Sequence, residues 1–598
     1  MAKKVYVDIE GVHQRNMTDG QIIRRLITYL KPFIPQLLLA ISLVIVLVGL
    51  DLIGPLFIAE VLDSLGEDDV QFSKVILITG FYFLTMVINA YLSYRQTMLL
   101  QTTGQKIIYN IRRDVFEHIE RYSISQFNKI PIGKLVTRVT SDTNTLNSLY
   151  TDVVINLLRN TLTIIFVFVI MGIKNLELTL YVMTTVPFVF IFSYIFRKFS
   201  RKAYRNVRHH ISGINAFLSE HLSGMKLIQI FNREPKKYQE FRDRNKKLRK
   251  GYVTQTVIFS IYRPLMYFLY IVALVIILWF GTLKAIDGII TYGILFAFTQ
   301  YINKFFDPIQ DLAEQFDVLQ SAFTSGERIF EIIDTQPEVL DKPDSIELTE
   351  LKGKIEFRNV WFAYLGEDWI LKDVSFTVNA KETIAFVGAT GSGKTTILSL
   401  IVRNYDIQKG EIFIDDINIR DIKIDSLRLR IGQMLQDVFL FSGTIASNIR
   451  LRDESISDNQ IVDASAYVSA DRFINNLPNK YGELVRERGN NFSSGQRQLL
   501  SFARTVVHNP SIMILDEATA NIDTETESLI QESLKKMMNI GTMLIVAHRL
   551  STIQHVDKII VMQKGKIIES GTHQQLLRAK GHYYNLYRLQ YDKKIINA

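Results

Sequence analysis

The sequence predicts an all-α membrane domain of six helices with long cytoplasmic helical extensions, followed by an α/β domain. Three observations lead to this prediction. The chain of 598 residues exceeds what one hydrophobic core usually organises. Apolar stretches long enough to cross a bilayer lie before residue 310. Beyond residue 354, short β-rich runs alternate with helical ones, which is typical of an α/β fold.

The first predicted element is an amphipathic helix near the N-terminus. Apolar residues recur at helical spacing over 22–30, and basic residues flank them. This pattern is typical of a helix that lies in the membrane interface. A polar, frayed terminus is the alternative interpretation.

Six apolar stretches then approach the roughly 20 residues that a membrane-spanning helix needs. Lys174 and Asn175 alone separate the third stretch from the fourth, which predicts a tight hairpin at one membrane face. The predicted spans cover approximately residues 33–58, 75–94, 153–173, 176–196, 262–280 and 289–306.

The distribution of charge predicts the orientation of these spans. Basic residues concentrate in the connections between spans two and three and between spans four and five, which places both connections in the cytoplasm. The first connection is acidic and is predicted to be external. Both termini are therefore expected on the cytoplasmic side of the cell membrane. The net charge of +9 is attributed to these membrane edges, since no nucleic-acid recognition motif accompanies it.

Composition then changes from apolar to polar, which predicts a domain boundary. An acidic, proline-bearing stretch suggests a linker over 326–353, between a membrane domain at 1–325 and an α/β domain at 354–598. The chain contains no cysteine, which excludes disulfides, thiol catalysis and cysteine metal sites.

A glycine-rich segment after the predicted strand ETIAFVG matches the phosphate-binding loop pattern in its strand–loop–helix setting. Backbone N–H groups of such a loop converge on phosphate oxygens, a lysine reaches the terminal phosphates, and a hydroxyl ligates magnesium. The candidate nucleotide-binding residues are Gly388, Ala389, Thr390, Gly391, Ser392, Gly393, Lys394, Thr395 and Thr396.

A second candidate site follows the apolar run 512–515, which predicts a buried strand ending in Asp516 and Glu517. We expect Asp516 to hold magnesium. Glu517 is then placed to polarise the water that attacks the γ-phosphate. The predicted cofactors are therefore ATP and Mg²⁺. An acidic pair at a strand end is also common for structural reasons alone.

With these motifs in order, the chain resembles the ATP-binding-cassette (ABC) family, specifically an exporter half-transporter of multidrug type. The resemblance spans nearly the whole sequence and implies an ABC-type ATPase domain. Tyr364 resembles the aromatic residue that stacks on adenine, and Gln436 resembles the glutamine that touches magnesium. His548 resembles the switch histidine that contacts the γ-phosphate.

The family's signature motif, usually L-S-G-G-Q, departs from the pattern in this chain. Ser494 replaces the first glycine, and Asn521 lies in a second segment that also departs from the family preference. The resemblance implies that both segments act on the nucleotide of a partner subunit. A Cβ at residue 494 is expected to hinder close approach to phosphate or to alter the backbone dihedral angles. The residues assigned to the partner's site are Ser493, Ser494, Gly495, Gln496 and Asp523.

These departures predict a bacterial heterodimer with one degenerate ATP site, in which this chain supplies the catalytic Glu517 and His548. A homodimer that tolerates the serine is the alternative. The expected function is ATP-driven export of hydrophobic or amphipathic compounds across the cell membrane. A lipid flippase, a peptide exporter, an ATP-gated channel and a regulatory subunit remain alternatives. The expected partners are the second half-subunit, the lipid bilayer and a small hydrophobic substrate, with no nucleic acid.

Two cytoplasmic turns and one surface loop resemble elements that couple the ATPase to the membrane domain. The candidate coupling residues are Arg138, Asp142, Asn215, Glu220 and Glu487. Within the predicted spans, a charged residue is costly, so Asp51 is a candidate for the substrate path. A cap at a kink near Gly54 and Pro55 is the alternative role for Asp51.

Overall fold

A computed structural model describes residues 17–66, 71–451, 453–516, 524–546 and 553–596. The chain forms two compact units. The helical unit comprises Met1–Glu120 and Ile132–Thr335, and the α/β unit comprises Arg121–Pro131 and Gln336–Ala598.

The first part of the chain is helical, and only α4 of these elements belongs to the α/β unit. Two π-helical turns, Arg138–Asp142 and Leu149–Val153, interrupt the third long helical stretch. The α-helices are α1 (Asp19–Leu30), α2 (Ile34–Leu65), α3 (Phe72–Glu120), α4 (Ile124–Lys129), α5 (Ile132–Thr137), α6 (Thr143–Ser148), α7 (Val154–Lys174), α8 (Leu176–Met183), α9 (Val186–Ser223), α10 (Met225–Ile230), α11 (Glu234–Ile286) and α12 (Tyr292–Asp334).

Among the described residues, five helical stretches are long and apolar enough to cross a membrane, by length and composition. They are Asp19–Leu65, Phe72–Glu120, Ile132–Lys174, Leu176–Ser223 and Glu234–Ile286. The sixth predicted span forms the start of α12, which does not reach the same apolar content. Polar residues interrupt it, among them Gln300, Asn303 and Lys304.

Two boundaries in the helical unit differ from the sequence prediction. The fourth predicted span is two helices, because Pro187 lies in the first turn of α9, where its missing N–H is tolerated. Helix α12 runs past the predicted domain end at residue 325 to Asp334. Its last turns bury Ile329 and Phe330, so they keep the apolar face that a packed helix requires.

The α/β unit contains a six-stranded sheet in the order β12-β11-β3-β10-β9-β6, a four-stranded sheet in the order β2-β1-β4-β5, and the pair β7-β8. In the six-stranded sheet, β6, β9, β10, β3 and β11 are parallel. The strands are β1 (Ile355–Ala363), β2 (Trp369–Val378), β3 (Thr383–Val387), β4 (Lys409–Ile414), β5 (Ile417–Asn418), β6 (Ile431–Met434), β7 (Gly443–Thr444), β8 (Leu484–Val485), β9 (Ile512–Asp516), β10 (Thr542–Val546), β11 (Lys558–Gln563) and β12 (Lys566–Gly571).

Helices surround these strands, and short 3₁₀ turns connect several of them. The helices are α13 (Lys394–Ile401), α14 (Ile424–Arg428), α15 (Ile445–Ile449), α16 (Asp458–Tyr467), α17 (Asp471–Ile474), α18 (Ser494–Val507), α19 (Thr524–Met537), α20 (His573–Ala579) and α21 (His582–Ile596).

The parallel strands are buried on both faces. Ile384 and Phe386 of β3 pack into one apolar cluster, whereas the alternating Ala385 and Val387 pack into the other. A strand with two covered faces must be apolar throughout, which explains the run TIAFV. The edge formed by the carboxyl ends of the strands is therefore the part of the sheet that can receive a ligand.

Candidate functional site

The glycine-rich loop between β3 and α13 lies very close to neighbouring backbone and side chains. A Cβ on Gly388 would lie 2.2 Å from the carbonyl oxygen of Met562. Gly393 has φ +103, and a Cβ there would lie 2.7 Å from Cδ2 of Leu371. Both positions therefore require glycine, one for a close approach and the other also for its left-handed backbone.

This loop leaves hydrogen-bond donors available for an anion. Gly393 is the N-cap of α13, so no side chain caps the first N–H groups of that helix. The hydroxyl of Ser392 is buried without a hydrogen-bond partner among the described residues. A helix N-terminus favours negative charge. The loop thus fits the phosphates of a nucleotide.

Lys394 is held inside the same loop. Its Nζ donates to the carbonyl oxygens of Gly388 at 2.8 Å and Ala389 at 3.0 Å. Burial lowers the pKa of Lys394, and the charge of Asp516 partly opposes that shift. A phosphate next to this ammonium would replace the hydration that it has lost. Thr390, Gly391 and Thr395, further residues of the predicted site, are exposed.

The predicted magnesium ligands follow neighbouring parallel strands. Asp516 ends β9 in register with Val546, which is itself in register with Phe386 just before the loop. Gln436 lies two residues after the end of β6 and is exposed. Carboxylate, amide and hydroxyl oxygens suit Mg²⁺, so Asp516, Gln436 and Thr395 fit this ion at the carboxyl edge. Glu517, Asp523 and His548 lie outside the described residues.

Tyr364 lies at the other end of the candidate nucleotide site. Its hydroxyl is 3.0 Å from the hydroxyl of Thr396, which joins it to the helix after the loop. Phe362 and Tyr405 support the ring edge-to-face, at centroid distances of 4.9 and 5.1 Å. The side chain nevertheless keeps 43% exposure, so ring surface remains available for stacking.

The signature segment forms the start of α18. Ser493 caps this helix, because its hydroxyl accepts from the N–H of Gln496 and its own N–H donates to the Gln496 side chain. Ser494 is the first helical residue, and its φ is not positive. A helical residue tolerates a Cβ, so the serine at this position needs no unusual backbone conformation. Gly495 is buried in the same turn.

Two candidate coupling residues, Arg138 and Asp142, are buried, whereas the sequence predicted that a cytoplasmic turn presents them. Arg138 and Asp142 form a buried ion pair at 2.7 Å within the helical unit, and Asp142 also accepts from Ser325 at 2.8 Å. Each π-helical turn carries one extra residue per turn, which re-aims side chains along the helix. These two residues are therefore packed inside the unit rather than presented on a turn.

Residues 121–131 instead belong to the α/β unit. Gln126 is buried and donates to the carbonyl of Gln336 at 3.0 Å, and Asn128 donates to the Tyr405 hydroxyl at 2.9 Å. The S-x-x-Q spacing of Ser123 and Gln126 is a capping box that could have identified this short helix from the sequence. The other candidate coupling residues, Asn215, Glu220 and Glu487, are exposed.

Asp51 pairs with a charge that the sequence prediction did not consider. Lys304 of α12 lies 2.6 Å from the Asp51 carboxylate, and the two side chains keep 28% and 57% exposure, respectively. Helix α2 continues through Gly54 and Pro55, and Asp51 lies in its interior, one turn before Pro55. An ion pair between two apolar helices makes both charges less costly within a membrane.

Two family models match the chain. One is described as the ABC transporter transmembrane region and covers residues 37–309, and the other is described as ABC transporter and covers residues 371–520. The second range contains the phosphate-binding loop, Gln436 and Asp516.

Several curated proteins are similar over almost their whole length. YknV of Bacillus subtilis, an ABC transporter ATP-binding protein, is 38% identical over 577 residues, which are 96% of this chain and 95% of YknV. An ATP-dependent lipid A-core flippase of Syntrophus aciditrophicus is 33% identical over 577 residues, or 96% and 95% of the two chains. MdlB of Buchnera aphidicola, a multidrug resistance-like ATP-binding protein, is 33% identical over 577 residues, or 95% and 98%.

The two family models match one region in each unit of the chain, and the relatives are similar across both units. The chemistry is ATP hydrolysis coupled to transport. The chain is a multi-pass membrane protein that belongs to the ABC transporter family, with its transmembrane region ahead of its ATPase domain.

Proposed function

We propose that this chain is one half of an exporter that moves hydrophobic or amphipathic compounds out across the cell membrane by alternating access. The observation that carries the proposal is the phosphate-binding loop with open donors, in a chain whose described residues also include five apolar helical stretches long enough to span a membrane. The termini and the α/β unit are assigned to the cytoplasm from the basic connections between spans.

The residues at the carboxyl edge of the sheet receive distinct roles in this proposal. The uncapped N–H groups of α13 and the Lys394 ammonium bind the phosphates, and Tyr364 stacks on adenine. Asp516, Gln436 and Thr395 hold Mg²⁺, which supplies charge neutralisation at the phosphates. Glu517 orients and polarises the attacking water, and His548 contacts the γ-phosphate.

Hydrolysis is coupled to transport through two global states. Nucleotide held between two ATPase domains favours an outward-facing cavity, and hydrolysis releases the domains. Asn215, Glu220 and Glu487, which are exposed, belong to the coupling surfaces in this scheme. Asp51 and its partner Lys304 belong to the path of the substrate.

The experiment that tests the proposal compares the natural chain with Glu517→Gln in inside-out vesicles. We expect the variant to retain ATP binding and to lose nearly all ATPase activity and all ATP-driven uptake of an amphipathic dye. Glu527→Gln, at the fourth residue of α19, is the control for loss of an acidic side chain. Substantial turnover in Glu517→Gln would contradict the assigned role.

We further propose that the partner is a different subunit with a normal signature and an altered glutamate. The support is the sequence at Ser494 and Asn521, two positions assigned to the partner's nucleotide. Expression of this chain alone tests the idea. A folded, transport-active homodimer would refute it, whereas activity that requires co-expression of a second half-transporter would support it.

Lipid flipping is the second candidate function. The relatives include proteins named ATP-dependent lipid A-core flippase, at 33% and 35% identity. The two functions separate in proteoliposomes, where a flippase moves a fluorescent lipid between leaflets and an exporter of amphipathic compounds accumulates dye in the lumen.

A further inference from the structure

A polar cavity of about 460 Å³ lies in the helical unit, between α9, α12 and the stretch that contains α6. Four arginines line it: Arg201, Arg205 and Arg208 of α9, and Arg328 of α12. Asp142 is the one carboxylate among the described residues that line the cavity. The nucleotide chemistry described above uses none of these side chains.

The carboxylate of Asp142 is already satisfied by its neighbours. One oxygen accepts from Arg138 at 2.7 Å, and the other accepts from the hydroxyl of Ser325 at 2.8 Å. The nearest Arg328 nitrogen is more distant, at 3.8 Å. Asp142 therefore pairs closely with Arg138, which does not line the cavity, and forms only a longer ion pair with Arg328.

Among the described residues, the three arginines of α9 that line the cavity have neutral partners or none. Arg201 donates to the amide oxygen of Gln320 at 2.9 Å, and Arg208 lies over the ring of Tyr204 at 5.9 Å. Within the part of the chain that is described, Arg201, Arg205 and Arg208 form no ion pair. The Nε of Arg328 is buried and lacks a hydrogen-bond partner there. The cavity thus gathers four guanidinium groups around one described carboxylate, which already pairs closely with Arg138.

The apolar surface next to this cavity continues along the same helix. The three arginines of α9 lie on one stripe of the helix, at i, i+4 and i+7 counted from Arg201. The same stripe contains Phe190 at i−11 and Tyr194 at i−7. Both aromatic side chains are exposed, at 72% and 70%. They lie in the predicted fourth span, whereas the arginines lie beyond it. One face of α9 is therefore apolar within the span and cationic past its end.

From this arrangement we propose that the arginine cavity binds the phosphate headgroup of an anionic amphiphile, whose apolar chain lies along Phe190 and Tyr194. The planar guanidinium group can donate two parallel hydrogen bonds to a pair of phosphate oxygens. A cluster of guanidinium groups therefore strongly favours a phosphate headgroup over a neutral headgroup. The proposal rests on the proposed export function and names its substrate class as amphiphiles with a phosphate group.

Binding to the purified full-length chain tests this proposal independently of transport. The protein is held in a neutral maltoside detergent with saturating Mg-ADP, so that the phosphate-binding loop is filled. Dodecyl phosphate, inorganic phosphate and dodecyltrimethylammonium are titrated calorimetrically. We expect dodecyl phosphate to bind at least about tenfold more tightly than either of the others, because only it offers both groups.

The triple variant Arg201→Gln, Arg205→Gln, Arg208→Gln is expected to weaken dodecyl phosphate binding at least about tenfold, since charge-assisted hydrogen bonds are lost. Lys202→Gln removes an exposed cation from the same helix outside the cavity and is expected to bind as the natural chain does. If the triple variant does not elute as a folded protein, Arg205→Gln alone replaces it in the test. We expect this single variant to weaken dodecyl phosphate binding several-fold.

Three results would overturn the proposal: unchanged affinity in a folded variant, equal loss in Lys202→Gln, or inorganic phosphate binding as tightly as dodecyl phosphate. The last result would indicate a site for free anions. If the natural chain bound dodecyl phosphate but did not transport dye, the result would contradict the export function but not the binding site.

Discussion

The buried pair of Arg138 and Asp142 yields a prediction that separates structural from coupling roles. Asp142→Ala removes the counter-charge of an arginine whose side chain is only 9% exposed. It also leaves the hydroxyl of Ser325 without its acceptor. Breaking a buried pair by removing one partner typically costs about 3–5 kcal/mol, because the remaining charge stays buried. We therefore expect the helical unit to lose stability by about that amount.

Tryptophan fluorescence can report this loss for one unit at a time. The chain contains three tryptophans, of which Trp279 lies in the helical unit and Trp361 and Trp369 lie in the α/β unit. In a background with Trp361→Phe and Trp369→Phe, emission reports unfolding of the helical unit alone. Denaturation in mixed micelles of increasing SDS content would then give the unfolding midpoint of each variant.

Glu117→Ala is the matched control, because it breaks an exposed ion pair with Arg113 at 3.7 Å and is expected to change the midpoint very little. A double variant, Arg138→Met with Asp142→Leu, should recover much of the lost stability, because no charge remains buried. The reasoning is refuted if Asp142→Ala and Glu117→Ala unfold at the same midpoint. A stable Asp142→Ala that hydrolyses ATP without transport would instead support the coupling role predicted from sequence.

Three further predictions concern the α/β unit. Lys394→Ala should weaken ATP binding at least about tenfold in equilibrium titration, because a charge-assisted contact to phosphate is lost, and unchanged affinity would contradict the assigned loop. Tyr364→Ala should weaken ATP binding by about 1–3 kcal/mol, the usual value of base stacking, whereas Tyr364→Phe should bind nearly normally; equal losses would assign the effect to the hydroxyl instead. Gln126→Ala should destabilise the α/β unit by about 1–3 kcal/mol in thermal unfolding, because buried groups lose their hydrogen bonds to Gln126, and an unaltered transition would show that the helix 124–129 is not packed there.

The place of the glycine-rich loop between a strand and a helix could be predicted because its signals are local. A glycine at residue 388 or 393 is required by contacts that recur wherever a strand, a tight loop and a helix follow one another. The position of Asp516 follows equally from a short apolar run that ends in a carboxylate. Parallel pairing then brings β9 next to β10 and β10 next to β3. These expectations needed no knowledge of distant contacts.

Features that depend on contacts distant in sequence could not be predicted. Asp51 pairs with Lys304, and the sequence separation of 253 residues leaves no pattern that identifies this partner. Arg138 and Asp142 share the spacing of an exposed helical pair, and only the packing around them shows that they are buried. Pro187 in the sequence indicates the break between α8 and α9, but it lies within a long apolar run that predicts one continuous span.

The assignment of residues 121–131 to the α/β unit has a consequence for how the protein is made. Gln126 and Asn128 leave the ribosome long before the residues that they contact, and Asn128 is separated from Tyr405 by 277 positions. Until the second unit has been synthesised, the buried face of this short helix has no packing partner, and loop closure over such a distance is slow. Nascent chains are therefore expected to expose this segment to chaperones and proteases during synthesis. Its protection from cleavage would mark the moment at which the two parts of the α/β unit assemble.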